Sequence, residues 1–326
     1  MFSRIKAYLR SNYLYIRFFQ CRINSIRYWI KNLVFYIVFF RFSSSKKTTG
    51  HTLYFVFDHK QKHPGLADRL KVICCAYYIA KINGFDFKLV FDTSFYFSNY
   101  LEFNIVDWSG NISDLNFSFI SSRMLAYNGM GKIPKLNKKY NQYIVYYYIG
   151  KNILQYNAIE KWEDVWADCF HELFKPTPIL KNAIDESRYA VKSYIAVHLR
   201  FVNALENFED GYYNMLAIEA QKALIQKCLV CLKNIQKNNK LPLLIFSDSN
   251  RFLSIVKEYG YSVLDGNVNH VSFHTDEDTM LKTFTDFYMI SRSAKVYRII
   301  SKEMYATTFS YYAAISGRCE FETIYI

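Results

Sequence analysis

Two residues, His198 and Arg200, have the types and spacing most suited to chemistry; they close the run Tyr-Ile-Ala-Val-His-Leu-Arg at positions 194–200. A period of two puts both side chains on one side of an extended backbone. They can therefore converge on one anion. Arginine keeps its charge and grips phosphate through two parallel N–H groups, and histidine adds a directional donor. The pair could hold a diphosphate without a metal. The plainer reading is a strand-end histidine satisfied by backbone beside a surface arginine. Gly65 would allow a tight strand-to-helix turn, or is simply a turn glycine. Asp68 and Arg69 follow in the first helical turn, as surface residues, a local ion pair or part of a cleft.

Two metal-like patterns fail. Asp276 and Asp278 form an Asp-x-Asp, but the triplet precedes a helix and Thr275 with Asp278 reads as a capping arrangement. Cys228 and Cys231 form a Cys-x-x-Cys inside a helical stretch with no second pair or nearby histidine, so buried core thiols are expected. No metal site is expected. Seven cysteines, two of them adjacent at Cys74 and Cys75, do not suit a disulfide framework either.

The positioning elements can be read from periodicity. LYFVF (53–57) is a buried-strand run, and a helix opens at Gly65 with Leu66, Leu70, Ile73, Tyr77 and Ala80 on its inner face. Gly84 is a plausible terminator, and FKLVF (87–91) is the next strand. Residues 92–140 are less legible, and 142–149 reads as a strand. Helices are expected over 159–173 and 179–190, split by Pro176 and Pro178. From there strands at 194–199, 243–247, 261–264 and 295–300 alternate with helices at 215–235, 249–258, 277–291 and 308–316. Such alternation predicts a parallel α/β sheet covered on both faces, with ligands beyond the carboxyl ends of its strands.

A chain of 326 residues with 51% hydrophobic composition can bury a substantial core. The net charge of +13 is unevenly placed, because residues 1–57 carry ten basic side chains and no acid, leaving 31 basic against 28 acidic residues beyond. A body so nearly neutral argues against nucleic acid. Polar residues from Lys6 through Arg10, Tyr13, Arg17, Gln20, Asn24 and Arg27 to Lys31 recur at steps of four and three, opposite Leu9, Ile16, Ile23 and Ile30. This predicts a basic amphipathic helix, with residues 5–42 on an anionic membrane surface. A solvated helix packing on its own domain is the alternative. The longest apolar run, Leu33–Phe40, is too short to span a bilayer. Residues 43–50 read as a linker.

Four segments carry a family resemblance: HPGLADRLKVICCAYYIAKINGFDFKLVF (63–91), VHLR (197–200), IFSDS (245–249) and TDFYMISRSAKVYRIISKEMYATTFSYYAAISG (285–317). In this order the chain resembles the fucosyltransferase superfamily over residues 51–326. The resemblance implies a GT-B-like fold with two Rossmann-type halves facing a cleft, an acceptor-side half over 51–178 and a nucleotide-sugar half over 179–326, after the segment 1–50. It also implies transfer of fucose from GDP-fucose to a glycan acceptor, with inversion and no metal or further cofactor. Arg200 would stabilise the departing diphosphate, with His198 beside it; Asp248 would lie near the guanine, and Asp286 would support the site. Thr307, Thr308, Phe309 and Ser310 match a turn whose helix N-terminus favours phosphate. Gly65 matches the glycine loop of the first half.

An inverting transfer usually needs a base, for which the loop offers Glu206, Glu209 and Asp210, although solvated loop acids are the plainer reading of each. Phe201 departs from the pattern, standing where many members have a second basic residue. The expected setting is a cytoplasmic enzyme peripheral to the inner face of a bacterial inner membrane, in surface polysaccharide synthesis. A lumenal enzyme with a signal anchor is the rival, since Asn111 and Asn116 begin sequons. The competing functions are a transferase of this fold using another nucleotide sugar and a non-catalytic membrane-peripheral protein.

Overall fold

The computed structural model describes residues 26, 29–30, 33–42, 50–58, 65–92, 97–127, 129–146, 148, 150–206, 214–268 and 277–326. Strand β1 (Thr52–Asp58) is apolar on both faces: Leu53, Phe55 and Phe57 turn to one side, Tyr54 and Val56 to the other, and all are buried. Helix α1 (Leu66–Asn83) follows, and Gly84 ends it with φ 65°, its N–H bonding back to carbonyls of the last turn. The expected inner face of α1 is buried, and so are Lys71, Val72, Cys74 and Cys75; this helix is enclosed nearly all round. Strands β2 (Asp86–Asp92), β3 (Leu101–Phe103), β4 (Ser109–Gly110), β5 (Ser122–Met124) and β6 (Gln142–Val145) come next. Four of these build a parallel sheet with β1 in the order β4-β2-β1-β6-β5. The strand expected over 142–149 stops at Val145, and Tyr148 makes only an isolated bridge to Tyr127.

Helices α2 (Ile153–Tyr156) and α3 (Trp162–Leu173), strand β7 (Phe174–Pro176) and helix α4 (Pro178–Glu186) connect to a second sheet. β7 pairs antiparallel with β3. The second sheet alternates strictly: β8 (Ile195–Leu199), α5 (Ile218–Lys237), β9 (Leu243–Ser247), α6 (Asn250–Glu258), β10 (Ser262–Val263), α7 (Glu277–Ser291), β11 (Lys295–Ile300), α8 (Phe309–Ser316) and β12 (Glu320–Tyr325). Its order is β10-β9-β8-β11-β12, parallel throughout. The parallel α/β class read from the sequence is the class observed. Edge strand β12 was not anticipated. Cys228 and Cys231 are buried on α5, and burial pushes the Cys228 thiol up to about 12.

One apolar cluster joins the sheets, taking in Leu53 and Phe55 from the first, Ala196, Phe246 and Val296 from the second, and helices α1, α3, α7 and α8. Trp166 of α3 is fully buried with its ring 4.9 Å from Tyr312 of α8, and the Asn152 amide donates to the Tyr312 hydroxyl at 2.9 Å.

Residues 33–39 are helical. Phe35 and Phe40 pack beneath the other face of the first sheet against Tyr54, Val56, Val90, Ile144 and Tyr146, and Arg41 bridges to Ser118. A parallel sheet apolar on both faces needs covering on both. Residues 33–42 supply that cover, so this part of the N-terminal segment belongs to the body. Most of the expected helix from Lys6 to Lys31, residues 43–49 of the linker, and Thr275 and Asp276 lie outside the described residues.

Candidate functional site

β8 ends at Leu199, and the chain turns at once, with Val202 at φ 53°. A β-branched residue holds that left-handed conformation only when its surroundings enforce it. Asp248, just past β9, does so: its Oδ1 accepts the Phe201 N–H at 2.7 Å and its Oδ2 the Val202 N–H at 2.9 Å. The Phe201 ring is wholly buried against Phe252, 4.7 Å away. An apolar side chain therefore pins the turn at the position where the family pattern has a second cation. Between them these contacts aim Arg200. Its Nε lies 3.6 Å from Asp248 Oδ2, its guanidinium sits 5.1 Å over the Tyr305 ring, and its carbonyl accepts the Tyr305 N–H at 3.0 Å. The side chain keeps 22% of its surface exposed, so the fixed charge remains within reach of a ligand.

The low-dielectric setting affects the neighbours. Burial raises the Asp248 carboxyl to about 6, against the opposing pull of Arg200 and the two amides. The carboxylate expected near guanine is thus engaged from within the chain, holding the turn that carries Arg200. His198 is buried with its ring 5.6 Å from Phe309; burial, with the charges of Arg200 and Arg298, pushes it down to about 3. It is neutral at physiological pH, and its buried Nδ1 has no hydrogen-bond partner among the described residues.

Arg298 was not singled out from the sequence. It stands opposite His198 in the β8–β11 ladder; its Nη1 donates to the Thr307 carbonyl at 2.6 Å and its Nη2 to Thr323 Oγ1 at 3.0 Å. It thereby fixes the turn before α8. The Thr307 hydroxyl accepts the Phe309 N–H at 3.1 Å, and Ser310 Oγ is buried without a partner among the described residues. The signal lay in a lone arginine inside the apolar run Lys-Val-Tyr-Arg-Ile-Ile, a charge that a buried strand tolerates only with acceptors.

Helix α1 reaches this turn through Asp68. Its carboxylate pairs with Lys71 and stands 3.5 Å from the Thr308 hydroxyl, so it is both a local ion pair and a contact with the turn before α8. Arg69 is buried on α1, where desolvation lowers it to about 10. Gly65 has φ −60° and ψ 170°, which any residue adopts, and a Cβ there would meet nothing within 4 Å. Its turn does not require glycine; the position is simply open.

Two further expected residues have partners of their own. Asp286 is paired at 2.5 Å with buried Lys282, one turn back on α7. Glu206 lies 3.4 Å from the Arg251 N–H in the first turn of α6. Glu209 and Asp210 are outside the described residues. What the geometry brings together is His198, Arg200, Asp248, Tyr305, Arg298 and the 307–310 turn, with Asp68 approaching from α1. These groups suit an anion: a fixed guanidinium and the N-terminus of α8, at the carboxyl edge of a parallel sheet.

The class that this architecture defines is the α/β fold of fucosyltransferase structures. The chain matches a mutant of FUT1 from Arabidopsis thaliana in complex with GDP at a TM-score of 0.53 and 12% identity, covering 92% of this chain and 75% of that one. It also matches NodZ, an alpha-1,6-fucosyltransferase from Bradyrhizobium, at a TM-score of 0.49 and 15% identity, over 82% of this chain and 92% of NodZ. No family model matches the sequence, and no curated relative matches it.

Proposed function

We propose that this chain is an inverting glycosyltransferase that moves fucose from GDP-fucose to a glycan hydroxyl, its two sheets acting as the halves of a GT-B arrangement. The observation that carries the reading is the Arg200 assembly, a guanidinium held between Asp248 and Tyr305 beside the N-terminus of α8. The GDP held by the FUT1 mutant, whose fold the chain shares, supports the donor. In the reaction an acceptor hydroxyl oxygen forms a bond to the anomeric carbon as the bond from that carbon to the β-phosphate oxygen breaks. The hydroxyl proton passes to water or to a loop carboxylate, for which Glu206 and Glu209 remain the candidates. GDP leaves with the bonding electrons.

Charge builds on the departing oxygen, and a preorganised cation there lowers the barrier without reorganising. Neutral His198 can donate one hydrogen bond to the same group without adding charge. Thr308 and the first N–H groups of α8 would take the other phosphate oxygens, and Arg200 would supply locally the charge that a metal supplies in other transferases. The test is turnover of GDP-fucose by the purified chain and by Arg200→Ala. We expect kcat to fall at least about 100-fold with an unchanged melting temperature, and EDTA to leave the wild-type rate intact. Unchanged turnover in Arg200→Ala overturns the mechanism, and greater thermal stabilisation by UDP than by GDP overturns the donor.

A further inference from the structure

We propose that residues 26, 29–30 and 33–42 carry a docking face that lies along an anionic lipid bilayer. Ile26, Trp29, Ile30, Leu33, Val34, Ile37 and Val38 are all exposed, and their steps of three and four place them on one side of a helix. Phe42, 87% exposed, continues the patch and stacks at 4.9 Å on Phe119, next to exposed Ile120. Large contiguous apolar patches are uncommon on soluble monomers and mark interaction surfaces. This one cannot turn inward, because Phe35 and Phe40 on the opposite side are already seated under the first sheet.

Charge selects the occupant. The same stretch of sequence contains Arg27, Lys31 and Arg41, within a segment of ten basic residues and no acid up to position 57. A second copy would bring two such segments together and be repelled, whereas acidic headgroups would neutralise both the flanks and the approach. In the sequence Leu9, Ile16 and Ile23 continue the line of Ile30, so a helix through them would lengthen the stripe and not cover it. No helix among the described residues is long and apolar enough to cross a membrane. Lying in the interface, such a face would set Trp29 and Phe42 at the depth where aromatic rings are most stable. The docking does not depend on the donor reading. Its consequence does: a transferase held this way would meet acceptors carried at a bilayer surface.

Flotation of the full-length protein with vesicles tests the inference. Binding is expected to an equimolar mixture of phosphatidylcholine and phosphatidylglycerol, weakening as salt rises, and not to phosphatidylcholine alone. Arg27→Ser with Lys31→Ser is expected to weaken binding about thirty-fold, and Ile30→Asp with Ile37→Asp to abolish it, all with the wild-type melting temperature. Three results would overturn the proposal: no binding to the mixed vesicles, equal binding to both kinds, or wild-type binding by the Ile30→Asp, Ile37→Asp variant. A dimer in light scattering that this variant dissolves would give the face to a second copy and overturn it equally.

Discussion

Asp248 couples protonation to the aim of Arg200. With its carboxyl raised to about 6, the folded chain holds a proton between the ordinary carboxylate value and pH 6 that the unfolded chain has already lost. Its contribution to stability is therefore present at low pH and lost as pH rises through 6. Activity should run the other way, because the ionised carboxylate is what pairs with Arg200. We expect kcat/KM to fall below pH about 6 along a one-proton limb, and Asp248→Asn to lower the rate and erase that limb. His198, at about 3, cannot produce it. For Arg298 we expect Met to raise the KM for donor about tenfold, as a lost charged hydrogen bond implies, with a smaller effect on kcat; Lys should restore part of it. Steady-state kinetics separates the two constants. His198 and Arg200 were legible because a period of two and a strand end are local. Arg298 was not, since its meaning depends on a ladder register that places it opposite His198.

Among the elements, those with enough residues to display a period were read well, including α7 and β11, whose bounds agree with the structure. The stretch 92–140 resisted because its strands are two or three residues long, too short for any alternation to register. β12 was missed because Glu320–Tyr325 alternates only over Glu-Phe-Glu and follows the expected α8 after only a few residues. α1 was read from its start and stop at Gly65 and Gly84 and its inward stripe, but a helix enclosed on nearly every side also buries residues that no stripe marks. Close approach rather than conformation explains Gly317, at the end of α8. Its φ is −88°, but a Cβ there would stand 1.7 Å from the Ser291 carbonyl oxygen at the end of α7. We expect Gly317→Ala to cost about 1–3 kcal/mol, read as a lower melting temperature, since backbone on both sides must part.

For the molecule as a whole, the shared apolar cluster implies cooperation. Calorimetry should show the two sheets melting in one transition, since neither can expose its inner face without opening the layer formed by α1, α3, α7 and α8. The composition announced a large core and an uneven charge, but it could not announce that the sheets share one interior, because that depends on contacts between distant segments such as Asn152 and Tyr312. Helix α8 has the most exposed role in this arrangement. Its first turn meets the candidate anion site, Tyr311 donates to Glu163, and the Ser316 carbonyl meets His171, both on α3. Occupying one end of so short a rod should slow deuterium uptake by its amides and by those of α3 alike, so that a change at one end would be legible at the other.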